Sequence, residues 1–248
     1  MTSLEQRARA IVAHGNLPRH VAVIMDGNGR WAERRGQPRI LGHRAGMKSV
    51  RAVIEAAGDI GIEALTLYAF SKENWKRPPT EVQALMGLLR RYMKSERVEL
   101  VERGVRVEAI GDLDQLDAAA RDELDKLIAA TIHCDRLRVT LALSYGGRAE
   151  IVEAARRIAR AVLAGELDPD ALDERVFCRF LYAPDLPDPD LLVRTSGEMR
   201  ISNFLLWQIA YTELYVTDTL WPDFDRAAFF AAIEDYQSRE RRFGRVMA

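Results

Sequence analysis

Several things are scarce in this chain of 248 residues. There are only two cysteines, Cys134 and Cys178, far apart and in no C-x-x-C or zinc spacing. A disulfide scaffold is therefore excluded, and a reducing compartment is expected. No apolar run approaches the roughly 20 residues a membrane-spanning helix needs. The greasiest stretch, FLLWQIAYTELYV, is interrupted by Gln208, Thr212 and Glu213. The opening residues, MTSLEQRARAIVAHGN, lack the apolar core of a secretory leader. A cytoplasmic location follows as an expectation. Charge of one sign is also missing: the formal net charge is −1, so no broad basic field draws the chain onto nucleic acid. Lysine is rare as well, at five against 31 arginines. Arginine suits bidentate phosphate recognition, but a bias this general gives weight only to arginines at special positions.

What is present is an alternation of two periods. His20 to Met25, Ala64 to Phe70, Val105 to Ile110, Leu137 to Ser144, Leu191 to Val193 and Glu213 to Val216 read as strands. Between them lie helical stripes such as Val50, Val53, Ile54 and Ala57, and Ile151, Val152, Ala155 and Ile158. Other helices are expected from about Leu116 to Ala130 and at the C-terminus around Phe229, Phe230, Ile233 and Tyr236. Thr80-Glu81-Val82-Gln83 has the form of a capping box opening a further helix after Pro78-Pro79. Repeated β-α alternation predicts a parallel sheet with helices on both faces, in one α/β domain without linker or repeat.

Ligands of such sheets bind beyond the carboxyl ends of the strands, where this sequence is polar, glycine-rich and arginine-bearing. Asp26-Gly27-Asn28-Gly29-Arg30-Trp31-Ala32 follows the first strand. Its glycines allow backbone N–H groups to approach a phosphate. Gly27 to Ala32 also fits the dinucleotide pattern G-x-G-x-x-A. A carboxylate directly ahead of the first glycine argues against a bare pyrophosphate there, and no acidic residue ends the second strand. Asp26 beside a diphosphate makes sense with Mg²⁺ between them, since that ion takes one or two carboxylates plus phosphate oxygens. A tight turn capped by Asp26 is the plain alternative. An aspartyl-phosphate phosphatase is a weaker one, because its usual second acid is replaced by Asn28.

Arg39 and His43, at i and i+4, either reach a phosphate together or belong to a solvated helix face. Ser71, Lys72, Glu73, Asn74, Trp75 and Arg77 form a proline-ended loop, with Trp75 either packed on the core or part of a lid. Arg194-Thr195-Ser196-Gly197-Glu198-Met199-Arg200-Ile201-Ser202-Asn203 puts two arginines and two serines after a late strand, a second anion cradle. Pattern alone favours Glu213 as the polar face of a strand over a second metal-coordinating acid. Two phosphate cradles and no nucleotide fingerprint point to an enzyme joining two phosphorylated molecules.

HVAVIMDGNGRWA, GHRAG, YAFSKENWKRP, LVRTSGEMRISNFLLWQ and the tail RERRFG resemble the cis-prenyltransferase family, over about His20 to Gly244. The resemblance implies a six-stranded, mainly parallel sheet with flanking helices and a hydrophobic tunnel, over residues 20–244, preceded by an N-terminal helical segment at 1–19. It implies repeated condensation of isopentenyl diphosphate onto an allylic diphosphate, commonly farnesyl diphosphate, each new double bond being cis. The expected product is long, of the undecaprenyl diphosphate type used as a lipid carrier in cell-wall synthesis; a shorter-chain synthase is the alternative. A homodimer is also implied, with transient membrane contact on product release. Carried over by motif, Asp26 and Glu213 hold Mg²⁺. Gly27, Asn28, Gly29, Arg30 and Arg39, with Trp31 and His43 alongside, hold the allylic diphosphate. Arg194, Arg200, Ile201 and Ser202 hold that of isopentenyl diphosphate. Asn74 stands at the position named as proton acceptor, and Ser71, Lys72, Glu73, Trp75 and Arg77 complete the closing loop. Met199 stands where some relatives carry histidine. Arg242-Phe243-Gly244 resembles the family's Arg-x-Gly tail. Tunnel depth is expected to depend on Met47, Ala69, Met86, Leu137 and Leu143, with Ala84 and Gly87 nearby.

Overall fold

The computed structural model describes residues 2–240; the Arg242-Phe243-Gly244 motif lies outside them. Six strands, β1 (His20–Ile24), β2 (Ala64–Ser71), β3 (Val105–Ile110), β4 (Leu137–Tyr145), β5 (Leu191–Thr195) and β6 (Glu213–Thr217), form one sheet in the order β3-β4-β2-β1-β5-β6. Every neighbouring pair is parallel. All five residues of the central strand β1 are buried, which is why it reads as a continuous apolar run rather than an alternation.

The two faces are covered unequally. Helices α1 (Ser3–His14), α2 (Asn28–Glu33), α3 (Arg39–Ile60), α4 (Pro79–Glu102), α5 (Ala118–Thr131), α6 (Gly147–Leu163), α7 (Glu174–Cys178) and α8 (Arg226–Gln237) follow in chain order. Residues of α1, α3, α4, α5 and α8 pack with Val21, Val23, Leu65, Leu67 and Val139 into the larger core. The reverse face, with Ala22, Ile24, Ala142 and Leu192, is covered mainly by irregular chain around Tyr182, Phe204 and Leu205. Helices on both faces overstates that side. There α6 contributes Glu150, whose buried carboxylate accepts from the Tyr145 hydroxyl, the Tyr182 N–H and Gln208.

Helix α4 starts one residue before the expected capping box. Pro78 precedes it and Pro79 occupies its first position, with no side-chain cap. Proline's fixed φ and missing N–H suit a helix start, so Thr80 has no capping role. Helix α1 is fastened to α8: Arg7 forks onto Glu234 with two 2.6 Å contacts, and Gln237 donates to the Ile11 carbonyl at 2.9 Å. Among the described residues no helix is long and apolar enough to cross a membrane.

Candidate active site

Strand order reverses about β1, with β2 on one side and β5 on the other. The loops leaving β1 and β5 therefore diverge at their carboxyl ends and open a crevice. Into it come Asp26 from β1, Arg194 from β5, and the 3₁₀ turn Lys72–Lys76 that follows β2. Thr195 stitches the first two loops together. Its hydroxyl donates to the Asp26 carbonyl at 2.7 Å and accepts from the Asp26 N–H at 2.9 Å.

Gly27 caps α2 at φ +104°, a conformation side chains rarely adopt. A Cβ there would lie 2.8 Å from Leu220 Cδ2 and 3.0 Å from Ser196 Cβ. Gly165 has φ +73° but open space around it. Gly27→Ala should therefore cost about 1–3 kcal/mol, or some 2–4 °C of melting temperature per kcal/mol, and more than Gly165→Ala. Equal losses in thermal melts would show that the contacts with Leu220 and Ser196 do not matter.

The Asp26 carboxylate is the electrostatic centre. It accepts from Arg194 Nη2 at 3.0 Å and from its neighbour Gly27 N–H at 2.7 Å, and lies 3.2 Å from Arg30 Nη2. Burial pushes this carboxyl up, but the Arg194 hydrogen bond, Arg30 and the Gly27 N–H outweigh it and hold the group below its ordinary value. The Arg194 side chain is only 5% exposed. It also donates to Ser202 Oγ at 2.8 Å and to the Arg200 carbonyl, while its buried Nε has no partner among the described residues. Arg30 donates to the Ser196 hydroxyl and carbonyl. Glu198 bridges Arg30 at 3.2 Å and Arg200 at 2.5 Å. Three guanidinium groups thus surround two carboxylates beside an open cleft of about 520 Å³. Ser196, Ser202, Asn203 and Leu205 all have positive φ, a concentration of backbone strain typical of ligand sites.

The second chamber is apolar. About 140 Å³ is enclosed among Met47, Leu67, Ala69, Leu85, Met86 and Leu89, with Asn28, His43 and Trp221 at its edge. Met25, Tyr68, Asn74 and Arg77 line both spaces. The charged cleft thus adjoins the apolar chamber, with these four side chains between them. Burial, reinforced by Arg77 and Arg39 and opposed by Glu81, pushes His43 down to about 4. It faces the chamber as a neutral imidazole, its Nε2 without a partner among the described residues. Arg39 lies near the loop as well, covering Gly29, and pairs with Glu33 at 2.6 Å. Asn74 Oδ1 accepts the Ser71 N–H at 3.0 Å, reciprocated by the Ser71 side chain capping the turn. The Asn74 carbonyl is therefore engaged and its NH₂ group is left for the cleft. Glu73 lines the same cleft and accepts from Asn203 at 3.0 Å.

Other residues singled out from the sequence stand apart. Trp75 donates to Ser144 at 2.9 Å and packs edge-on against Phe70, on the core rather than in the cleft. Trp31 donates to Asp223 at 2.7 Å with the Arg35 guanidinium stacked over it. Lys72 points to Asp112 at 3.5 Å, and Ile201 packs into the smaller core. Met199 is 84% exposed. Glu213 begins β6 at the amino end of the sheet, opposite Leu191, and is paired with Arg239 at 2.7 Å. Asp26 lies five residues past Val21, itself level with Leu191, so the two acids are separated by roughly 15 Å along the strands. Within one chain they cannot share an ion. Leu137 and Leu143 are fully buried in the larger core and do not reach the chamber, whose β4 wall is Leu141. Ala84 and Gly87 do not line it either. Ser196, Glu198 and Asn203 lie inside the cradle segment Arg194 to Asn203 that the sequence marks, but Glu198 and Asn203 carried no role of their own there.

Fold and site together define a parallel α/β protein with an arginine-rich cleft at its rim beside an apolar chamber. The family model described as "Putative undecaprenyl diphosphate synthase" matches residues 24–244. An isoprenyl transferase of Heliobacterium mobile is 56% identical over 230 residues, 93% of this chain and 88% of that protein. A ditrans,polycis-undecaprenyl-diphosphate synthase ((2E,6E)-farnesyl-diphosphate specific) of Xanthomonas axonopodis pv. citri is 50% identical over 232 residues, 94% and 90% of the two chains. Lavandulyl diphosphate synthase from Lavandula x intermedia, solved in complex with dimethylallyl diphosphate, superposes with a TM-score of 0.90 at 39% identity, over 92% of this chain and 98% of that one. The chain belongs to the undecaprenyl diphosphate synthase family and is a prenyltransferase.

Proposed function

We propose that this enzyme condenses isopentenyl diphosphate repeatedly onto farnesyl diphosphate in cis, giving a long polyprenyl diphosphate of the undecaprenyl class. The observation that carries this reading is that the charged cleft and the apolar chamber share the wall of Met25, Tyr68, Asn74 and Arg77. One molecule with a diphosphate head and a hydrocarbon tail fits that pair of spaces. The names of the Xanthomonas and Heliobacterium relatives agree with it.

In this reading the Gly27–Arg30 backbone and Arg39 hold the allylic diphosphate, while Arg194, Arg200 and Ser202 hold that of isopentenyl diphosphate. The first N–H groups of α2 lack acceptors within the helix and aim at the anion. Asp26, an ionised and partly exposed carboxylate, suits Mg²⁺, which needs one acid when substrate oxygens complete its shell. The ion would neutralise charge developing on the leaving diphosphate. Glu213 is not assigned to it within this chain. As the allylic C1–O bond breaks, Arg30 and Arg39 stabilise the departing diphosphate. The wall of Leu67, Ala69 and Met86 keeps water from the cationic carbon. The double bond of isopentenyl diphosphate then attacks C1 and a proton leaves its C2. Asn74 orients the reactants through its NH₂ group, and a diphosphate oxygen or water takes the proton. A homodimer working in the cytoplasm is part of this proposal.

A shorter-chain synthase is the second reading, favoured by the small chamber volume of about 140 Å³.

Steady-state kinetics test the two-cradle assignment. Arg194→Ala and Arg200→Ala should raise KM chiefly for isopentenyl diphosphate, and Arg39→Ala chiefly for the allylic substrate, by about tenfold or more for each lost charged contact. Equal rises for both substrates in all three variants would rule out separate cradles.

A further inference from the structure

Helix α6 begins at the carboxyl end of β4 with Gly146 as its N-cap, a position from which no side chain closes the helix. The first N–H groups of a helix have no acceptor within it. Asn203, from the loop after β5, accepts from two of them. Its backbone carbonyl takes the Gly147 N–H at 2.7 Å, and its Oδ1 takes the Arg148 N–H at 2.9 Å. The side-chain amide nitrogen is left to donate to Glu73 Oε1 at 3.0 Å. A backbone N–H can only donate and an ionised carboxylate can only accept, so these two partners fix which way the amide faces. Burial pushes the Glu73 carboxyl up, but its own backbone N–H, Asn203, Ser71 and Lys76 outweigh it and hold the group below its ordinary value.

The backbone is shaped for this contact. Asn203 sits at φ +61°, which asparagine tolerates better than most residues. A Cβ on Gly146 would lie 2.8 Å from Asn203 Nδ2, so the glycine lets the amide approach. The neighbours on either side of the bridge belong to the cleft. Ser202, one residue before Asn203, accepts from Arg194 at 2.8 Å in the second cradle. Asn74, one residue after Glu73, turns its NH₂ group to the cleft. Among the described residues no other hydrogen bond or ion pair joins the Lys72–Lys76 turn to the segment 200–203.

We propose that Asn203 is a positioning residue for prenyl transfer: by bridging the start of α6 to Glu73, it holds the Ser202 side of the second cradle in register with the turn that carries Asn74. The inference rests on the assignment of that cradle to isopentenyl diphosphate.

Asn203→Asp separates the two arms of the bridge. Aspartate keeps an acceptor for the Arg148 N–H, suits a helix N-terminus and tolerates the positive φ, but it sets a second carboxylate against Glu73. The melting temperature should therefore stay within about 2 °C of wild type. In steady-state kinetics kcat/KM for isopentenyl diphosphate should fall about tenfold, while KM for the allylic substrate barely moves. Adding Glu73→Gln restores the hydrogen bond with donor and acceptor exchanged, and should recover most of the loss. Adding Glu73→Ala removes the same charge but supplies no donor, and should recover much less. Calorimetric titration with isopentenyl diphosphate alone should rank the three variants in the same order. Wild-type kcat/KM in Asn203→Asp, a loss that tracks a fall in melting temperature, or equal recovery with Gln and Ala would overturn the proposal and leave Asn203 a helix cap. The expected order of affinities in a chain that transfers no prenyl groups would support the positioning role and refute the elongation.

Discussion

Asp26→Ala is expected to lower kcat for prenyl transfer by about 10²–10³-fold, near 3–4 kcal/mol of transition-state stabilisation, while the protein stays folded. The expected KM is equally informative. Removing this carboxylate leaves Arg194 and Arg30 without the anion that now occupies them at 3.0 and 3.2 Å. The empty cleft becomes more positive, so diphosphate binding should hold or tighten while turnover collapses. Arg194 keeps its hydrogen bonds to Ser202 and the Arg200 carbonyl, which limits the loss of stability. The pH dependence has a definite sign. Because the folded carboxyl titrates below its ordinary value, its ion pairs are fully present above the ordinary carboxylate range near pH 4 and are lost only as pH falls through the lowered value. Wild type should therefore keep this cluster at pH 5. Near-wild-type kcat in Asp26→Ala, or a loss confined to KM, would remove Asp26 from the chemistry.

Ala69→Leu should shorten the products. Ala69 sits on the chamber wall with Leu67 and Met86. Three added carbons take a large share of a volume that holds about six. Each five-carbon unit that leaves water gains about 0.8 kcal/mol per buried CH₂, so elongation proceeds while room lasts. Overfilling costs about 1–3 kcal/mol, enough to stop growth early without unfolding the domain. Product chromatography should show shorter chains, with KM for isopentenyl diphosphate within a few-fold of wild type. Full-length product at the normal rate would show that the tail does not pass Ala69.

The parallel sheet was legible because a strand covered on both faces, such as HVAVI, reads as an unbroken apolar run followed by glycine and a helical stripe. The polar rim was legible for a related reason: strand ends are where ligands sit, and Asp26 and Arg194 lie at the carboxyl ends of strands that turn out to be neighbours. What the sequence hid depends on direction and distance between elements. Glu213 was carried over as a partner for Asp26, but strand register places it at the opposite end of the sheet, bound to Arg239. Leu143 and Leu141 differ by two positions, so they share a face of β4, and only packing against α3 and α4 decides which one reaches the chamber. Trp75 shows the same limit. Its loop allows both a core and a lid position, and only the structure shows its indole N–H spent on Ser144.

The central claim is that one site binds two diphosphates and extends a hydrocarbon tail. Incubation of the purified chain with farnesyl diphosphate and labelled isopentenyl diphosphate, with and without Mg²⁺, and separation of the products by length, tests it most directly. The expected result is a Mg²⁺-dependent series of cis-polyprenyl diphosphates ending in long chains. A single condensation product, or label recovered only as unreacted isopentenyl diphosphate with Mg²⁺ present, would contradict it.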